Sequence, residues 1–369
     1  MVNKYFITLV VFFSFLFSQN SPPLIVTGNV HGQLDPCGWP KKPLGGLSKK
    51  LTTINQLKSE GISPIILDSG DLLFKSAILP DSTLTSDLFN VYVIIEGYEK
   101  IGCDVINIGQ NDLSAGLPFI LEIKEKTSIP FISANLINTL SGSLIFDPYI
   151  IIEKTGMIYG IIGLTNLSGE SDSIIEQIDY IKEGNKYISK LKNQTDIIIL
   201  LVNSERSSYN DLPTKFPDAD MIFTSGSTML TRPSMKQKDG GPFVFSSGRE
   251  GRYLNQVQLS LPYSNKEIVN ISYLESRIKY LNRRLDRYMD KFPGDTYVNA
   301  YADKPNILNI FKESKKEIER LNNRINQDNN ILEFKNIPMG KSIVDESEML
   351  NFVNRSILKR ESLKNGKKL

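Results

Sequence analysis

A single histidine, His31, stands in this chain of 369 residues, within the run Thr27-Gly28-Asn29-Val30-His31-Gly32. Two further runs carry acids and amides after apolar stretches: Leu67-Asp68-Ser69-Gly70-Asp71, and Gly109-Gln110-Asn111-Asp112 followed by Leu113-Ser114-Ala115-Gly116. Imidazoles and carboxylates are the side chains that hold a divalent ion, and an ion that keeps an open position activates water. A pair of such ions asks for more imidazoles than one histidine supplies. Carboxylates and amides hold magnesium or manganese, so Asp68, Asp71 and Asp112 keep a histidine-poor metal site open as a reading. The run Asn203-Ser204-Glu205-Arg206-Ser207-Ser208 offers a serine and an acid with no histidine partner, which excludes a serine-nucleophile triad. Cys37 lies beside His31 and ahead of a helix, an environment expected to lower its thiol pKa and to suit a redox group or a soft-metal ligand. A structural cysteine and a disulfide with Cys103 are the alternatives, although Cys103 precedes the third strand and Cys37 follows the first, near opposite sheet edges. No Cys-x-x-Cys-His occurs, so no c-type haem is attached covalently.

These runs need strands to position them. Residues 23–262 are a succession of short apolar runs, each closed by glycine, serine or asparagine and followed by a polar or amphipathic stretch, which is the pattern of an α/β domain. Expected strands are 24–27, 64–67, 105–108, 131–137, 159–164, 196–202, 221–224, 243–246, 254–261 and 268–271. Leu47, Leu51, Ile54 and Leu57 recur at helical spacing, and a second helix is expected between Ser173 and Leu191. Loops at the strand ends then carry the function. Gly248-Arg249-Glu250-Gly251-Arg252-Tyr253 reads as a turn leading into a strand rather than an anion site.

After Pro262 the apolar positions thin out. Leu274, Ile278, Leu281, Leu285, Tyr288 and Phe292 form one seam at spacings of four and three, and Phe311, Ile318, Leu321 and Ile325 form another, with Pro293-Gly294 and Pro305 between them. A helical hairpin or coiled arm over 263–369, ending in a basic tail from Lys359, is the expectation; both helices packing on the α/β domain is the alternative. At the other end, Lys4, the apolar run Tyr5–Phe17 and the small Ser18 read as an export signal over 1–18, too short to span a bilayer, with the mature chain starting near Gln19. No transmembrane segment is expected in that mature chain, which is read as secreted or periplasmic. With 43 basic and 41 acidic residues the net charge is +2, so nothing global points to nucleic acid.

In order and spacing the three strand-end loops resemble those of the calcineurin-like metallophosphoesterases, specifically the 5'-nucleotidase (UshA-like) branch. There the corresponding loops read Asp-x-His-Gly, Gly-Asp and Gly-Asn-His-Glu-Phe-Asp-x-Gly. Gly45-Gly46-Leu47 and the step from Gly109 to Gly116 also match, and the resemblance covers most of 23–262. It implies an αββα sandwich followed here by the arm, and a metal-dependent phosphoester hydrolase. By that likeness His31 matches a histidine ligand and Asp71 the carboxylate bridging two metals. The remaining positions depart: Asn29 stands at the first aspartate, Gln110 at a ligating asparagine and Asn111 at the general-acid histidine, which an amide cannot replace near neutral pH. Downstream, Asn203, Ser227 and Met229 occupy positions where the family carries imidazoles. His31 and Asp71 remain as the strong ligands for a manganese, iron or zinc ion, with Asn29 and Gln110 as weak ones.

The loop Asp35-Pro36-Cys37-Gly38-Trp39-Pro40 leading to Pro43-Leu44-Gly45-Gly46 resembles that of UshA-like proteins, some of them selenoproteins, associated with multihaem cytochromes. Trp39 then takes the place of a second cysteine or selenocysteine, as a UGA codon rendered as Trp or as an ordinary aromatic residue. Two functional readings follow. In one the chain is a non-catalytic binding or docking module, meeting an exported redox or cytochrome partner through its C-terminal helices. In the other it remains a phosphoester hydrolase with a reduced or altered metal site.

Overall fold

The computed structural model describes residues 21–38, 42–166, 173–264 and 266–364. The expected export signal, Trp39 and the last residues of the basic tail lie outside the described residues.

Twelve strands form two principal sheets. They are β1 (Leu24–Thr27), β2 (Ile65–Asp68), β3 (Val105–Asn107), β4 (Phe131–Ile132), β5 (Tyr149–Lys154), β6 (Met157–Thr165), β7 (Ile197–Asn203), β8 (Met221–Ser225), β9 (Phe243–Ser246), β10 (Tyr253–Ser260), β11 (Ile268–Asn270) and β12 (Asn330–Pro338). The first sheet runs β11-β12-β10-β1-β2-β3-β4 and the second β9-β8-β7-β6-β5. The main helices are α1 (Leu47–Ser59), α2 (Leu84–Ile101), α3 (Leu117–Lys126), α4 (Tyr180–Leu191), α5 (Ile271–Met289), α6 (Pro305–Ile325) and α7 (Ser347–Lys364).

The two-residue side-chain period of a strand divides the core into layers. Leu24 and Val26 of β1 point at the second sheet, meeting Ile161, Ile199 and Phe223, whereas Ile25 points outward into a cluster with Leu47, Ile94 and Tyr98. On the far side Ile198, Leu200 and Ile222 meet Tyr187, Ile188 and Leu191 of α4. Helix, sheet, sheet and helix therefore stack as an αββα sandwich. The inner strands read as continuous apolar runs because they are buried on both faces. β1 pairs parallel with β2 and β2 with β3, so their carboxyl ends and the three loops emerge at one edge.

Several expectations change. The helix expected from Ser173 begins at Tyr180, capped by Asp179, whose carboxylate accepts from the Ile181 and Lys182 amides. Ahead of it Ile175–Gln177 pairs with Leu136–Asn138, which also breaks the expected strand 131–137 in two. At the break the Asn135 side chain donates to the Thr165 carbonyl at 2.6 Å and accepts from its amide at 2.9 Å, spending the polar groups that a continuous ladder would use. Helices α2 and α3 and strand β5 lie where the sequence reading placed no element.

The expected boundary at 262 is not where the sandwich ends. α5 and α6 do pack on one another, through Leu274, Leu281 and Leu321 and through Leu285, Tyr301 and Phe311. Across the pair, Arg277 donates to both oxygens of Glu317, at 2.9 and 3.1 Å. Beyond them, however, β12 inserts between β10 and β11, its alternate residues Leu332 and Phe334 buried between the sheets. α7 then covers α1 and α2 with Met349 and Val353, each burial contributing about 2 kcal/mol. The hairpin is thus a loop out of the sheet rather than a terminal arm. No helix among the described residues is long and apolar enough to cross a membrane.

Candidate functional site

The loops after β1 and β2 continue the pairing of their strands: the amides of Asn29, His31 and Gly32 donate to the carbonyls of Gly70, Asp71 and Leu72 at 2.9, 3.0 and 2.7 Å. Tight turning puts Asn29, His31 and Asp71 at φ of 53°, 57° and 56°, a region that costs a side-chain-bearing residue energy and persists only when the surroundings hold it. Close approach is enforced by glycine. A Cβ on Gly109 would lie 2.4 Å from the Asp71 amide and carboxylate, so the third loop sits directly on the second.

Asp112 fastens those two loops. One of its oxygens accepts from the amides of Asp71 and Gly109 at 2.9 and 2.8 Å, the other from Leu73 at 2.7 Å. Burial first and the Asp71 charge second raise its pKa well above the usual carboxylate range. Asp68 turns inward, accepting from Thr27 at 2.6 Å, Tyr98 at 3.1 Å and the Gly70 amide at 2.9 Å. Behind it the buried Lys50 ammonium donates to the Tyr98 hydroxyl at 2.8 Å, and burial lowers its pKa to about 8. Asp68, Asp71 and Asp112 therefore do not converge on a common point. Among the described residues no group of three or more His, Cys, Asp or Glu side chains could hold an ion together.

Around Asp71 the site is closed by amides. Asn29 is fully buried; its Nδ2 donates to the Ser227 and Gly248 carbonyls, both at 2.9 Å, and its Oδ1 accepts from the Gly226 amide at 2.7 Å. Asn203 accepts from the Gln110 amide at 3.0 Å and donates to the Ser225 hydroxyl at 2.8 Å. Asp71 accepts from the Asn111 amide at 2.9 Å and from the Asn203 side chain. Burial is the main reason its pKa rises to about 6, against those two hydrogen bonds. Of the sequence-derived positions, Asp71, Gln110, Asn111 and Asn203 are thus joined in one hydrogen-bonded set, and Asn29 with Ser227 in a second. Met229 adds its side chain to the apolar layer that includes α4, while its amide donates to the Ser227 hydroxyl at 3.4 Å.

His31 faces outward into a cleft of about 640 Å³ whose walls include Phe74, Lys75, Asn90 and Arg360. Burial lowers its pKa to about 4, with Lys75 and Arg249 adding to the effect and Glu250 opposing it. At neutral pH the ring is uncharged.

Cys37 departs from expectation. It lies in a two-stranded hairpin, Pro36–Cys37 with Leu44–Gly45, and its thiol donates to Glu250 at 3.2 Å, beside the Arg252–Glu250 ion pair. Burial raises the thiol pKa and Glu250 adds to it, while Arg252 opposes, so a lowered pKa is not what this environment produces. Cys103 is buried against the Ile66 and Val105 carbonyls, and both cysteines are free. Glu250, at φ 57°, closes over the first loop by donating its amide to the Asn29 carbonyl at 2.7 Å. Its part was not legible beforehand because a turn motif says nothing of which loop it covers.

Strand-end loops of this geometry on an αββα sandwich define the metallophosphoesterase fold. No family model matches the chain. Among curated proteins, a 5'-nucleotidase from Vibrio cholerae is 29% identical over 173 residues, 43% of this chain and 30% of that protein. An NAD 5'-nucleotidase from Haemophilus influenzae is 26% identical over 198 residues, 52% of this chain and 32% of that protein. The matched segments span about a third of the length of those relatives. Among solved structures, the 5'-nucleotidase precursor from Thermus thermophilus superposes with a TM-score of 0.63 at 13% identity, covering 92% of this chain and 59% of the other. The calcineurin-like phosphoesterase YfkN from Bacillus subtilis gives 0.62 at 16%, covering 93% and 98%. The fold is that of the calcineurin-like metallophosphoesterases, and in sequence the chain is similar to 5'-nucleotidases of the UshA-like kind.

Proposed function

We propose that this protein keeps the metallophosphoesterase fold as a binding or docking module and does not hydrolyse phosphoesters. The observation that carries the reading is Asn29. Its amide uses both N–H bonds and its oxygen to join the first loop to the Gly226 and Gly248 loops. A metal ligand at that place would need an oxygen free to face the ion, and a carboxylate charge to hold it. Asn203 is likewise committed, and one carboxylate beside amides does not fit a pair of divalent ions. Neutral Asn111 has no proton to give a leaving group. Hydrogen bonds between loops stand where ions would otherwise tie them.

The test is turnover of adenosine 5'-monophosphate and of bis(p-nitrophenyl) phosphate with manganese present. The reading expects no rate above buffer, and the same absence in Asp71→Asn. Turnover that Asp71→Asn abolishes would establish the altered-site hydrolase instead.

Export is part of the proposal, resting on Lys4, the Tyr5–Phe17 run and Ser18. A mature N-terminus near Gln19 in a secreted or periplasmic fraction is its signature, and retention of the intact chain in the cytosol would remove it. The resemblance of the Cys37 loop adds a redox or multihaem cytochrome partner, checked by co-purification from that fraction; recovery of the chain alone counts against it.

A further inference from the structure

The strongest charge feature outside the loops lies on the hairpin. Lys279, Arg283 and Arg287 follow one another at four-residue intervals on α5, all exposed. They line a cleft of about 770 Å³ with Tyr280, Ser234 and the acid Asp286. Among the described residues no carboxylate pairs with any of the three, although Arg277 on the same helix finds Glu317 in a two-pronged ion pair. Like charges at i and i+4 disfavour a helix, so this stripe works against the element that carries it. The loop supplying Ser234 is basic too, with Arg232, Lys236 and Lys238 exposed. The cleft's own cations are therefore the three of α5, facing Ser234, while Lys236 and Lys238 of that loop line a separate cavity and its Asp239 pairs with Arg324, in a chain whose net charge is only +2.

We propose that this cleft is a docking site for an extended acidic segment of a partner protein. The inference deepens the docking reading above by naming the partner's chemistry. Successive cations rise about 6 Å along the helix. Alternate side chains of an extended strand are spaced about 6.6 Å apart, so carboxylates at every second residue meet Lys279, Arg283 and Arg287 in turn. Arg283 and Arg287 add the forked donor geometry that suits carboxylates. A nucleic acid strand would want freely exposed stacking rings. Tyr280 is half exposed, while Tyr288 and Tyr301 pack against Phe311 and line an adjoining cavity of about 380 Å³ shared with Arg284, Arg287 and Lys291, so oligo-dT is carried as a competing ligand in the test. A lipid surface would want an apolar rim for insertion, and the cleft is edged by serines and charges.

The experiment uses the full chain and a fluorescein-labelled peptide of alternating Glu and Ser, about ten residues long. Anisotropy is read at low and at physiological salt, since steering by exposed charges weakens with ionic strength. Lys279→Glu/Arg283→Glu/Arg287→Glu is expected to weaken binding by about tenfold or more. The control Lys312→Glu/Lys316→Glu/Arg320→Glu has the same spacing and charge change on α6 and should change it less than about twofold. Lys279→Gln/Arg283→Gln/Arg287→Gln repeats the loss without added repulsion, and thermal melts show that each variant is folded. No binding by the native chain, equal weakening by both Glu triples, or tighter binding of oligo-dT or phosphatidylglycerol vesicles overturns the proposal. Phosphoester turnover is read on the same samples. Turnover with peptide binding intact would remove the non-catalytic reading and leave the docking site standing.

Discussion

Replacing Asn29 with aspartate restores the family's residue and, on this account, harms the protein. The native amide donates to the Ser227 and Gly248 carbonyls, both at 2.9 Å, from a fully buried position. A carboxylate there has no proton for either carbonyl, and a buried acceptor left without a donor costs about 1–3 kcal/mol. Two of them give about 4 kcal/mol at pH 7. The buried carboxyl takes a raised pKa, so the folded state binds its proton more tightly than the unfolded state does. Stability of the variant then falls as pH rises from about 4, the unfolded carboxyl value, towards neutrality. Protonation returns one O–H donor, so the deficit at pH 4 should be about half that at pH 7. Urea unfolding of Asn29→Asp and the native chain at both pH values reads this directly, with the midpoint lowered by about 1 M at pH 7. Two results would refute the reasoning: a variant as stable as the native chain at pH 7, or one whose midpoint manganese restores. In either case Asn29 and its neighbours would be a metal site held open, not an amide lock.

Because His31 is the chain's one histidine, its ring gives a single imidazole titration by NMR. The midpoint should fall near pH 4, and the linked stability should be lost as pH drops from the unfolded value of about 6.5 towards that midpoint; a midpoint at or above 6.5 would remove the burial argument. Asp112→Asn turns an amide N–H towards backbone donors that now share one carboxylate, and should cost about 3 kcal/mol in urea unfolding, with a loss under about 1 kcal/mol counting against its fastening role. Ellman's reagent should find Cys37 slow at pH 7 and Cys103 silent until the chain is unfolded, and Glu250→Gln should speed Cys37 by removing a negative neighbour. A Cys37 faster than a free thiol would contradict the raised pKa.

Much of the sandwich was legible because its inner strands are unbroken apolar runs, which need no knowledge of partners to recognise. The three loops were legible as well, since Gly28, Gly70 and Gly109 mark approaches that a side chain would block. What the sequence hid was return. Asn330–Pro338 alternates as a strand should, with Leu332 and Phe334 inward, yet the helical seams before it invite the reading of a departing arm. Nothing local tells a strand that it will insert between β10 and β11. α2 was missed because Leu84–Ile101 is apolar on much of its surface, buried between the first sheet, α1 and α7, and so lacks a clear polar face. At the site, substitution of ligand types could be read residue by residue, but the direction of each amide could not. That Asn29 spends its whole side chain on other loops, and that Glu250 rather than a second cysteine meets Cys37, are facts of tertiary contact.

Metal content tests the central claim most directly. The purified chain is equilibrated with manganese, iron and zinc, freed of excess, and its bound ions are counted by elemental analysis. Loops tied by Asn29 and Asn203 should retain essentially none, whereas about two ions per chain would contradict the account and restore a two-metal hydrolase.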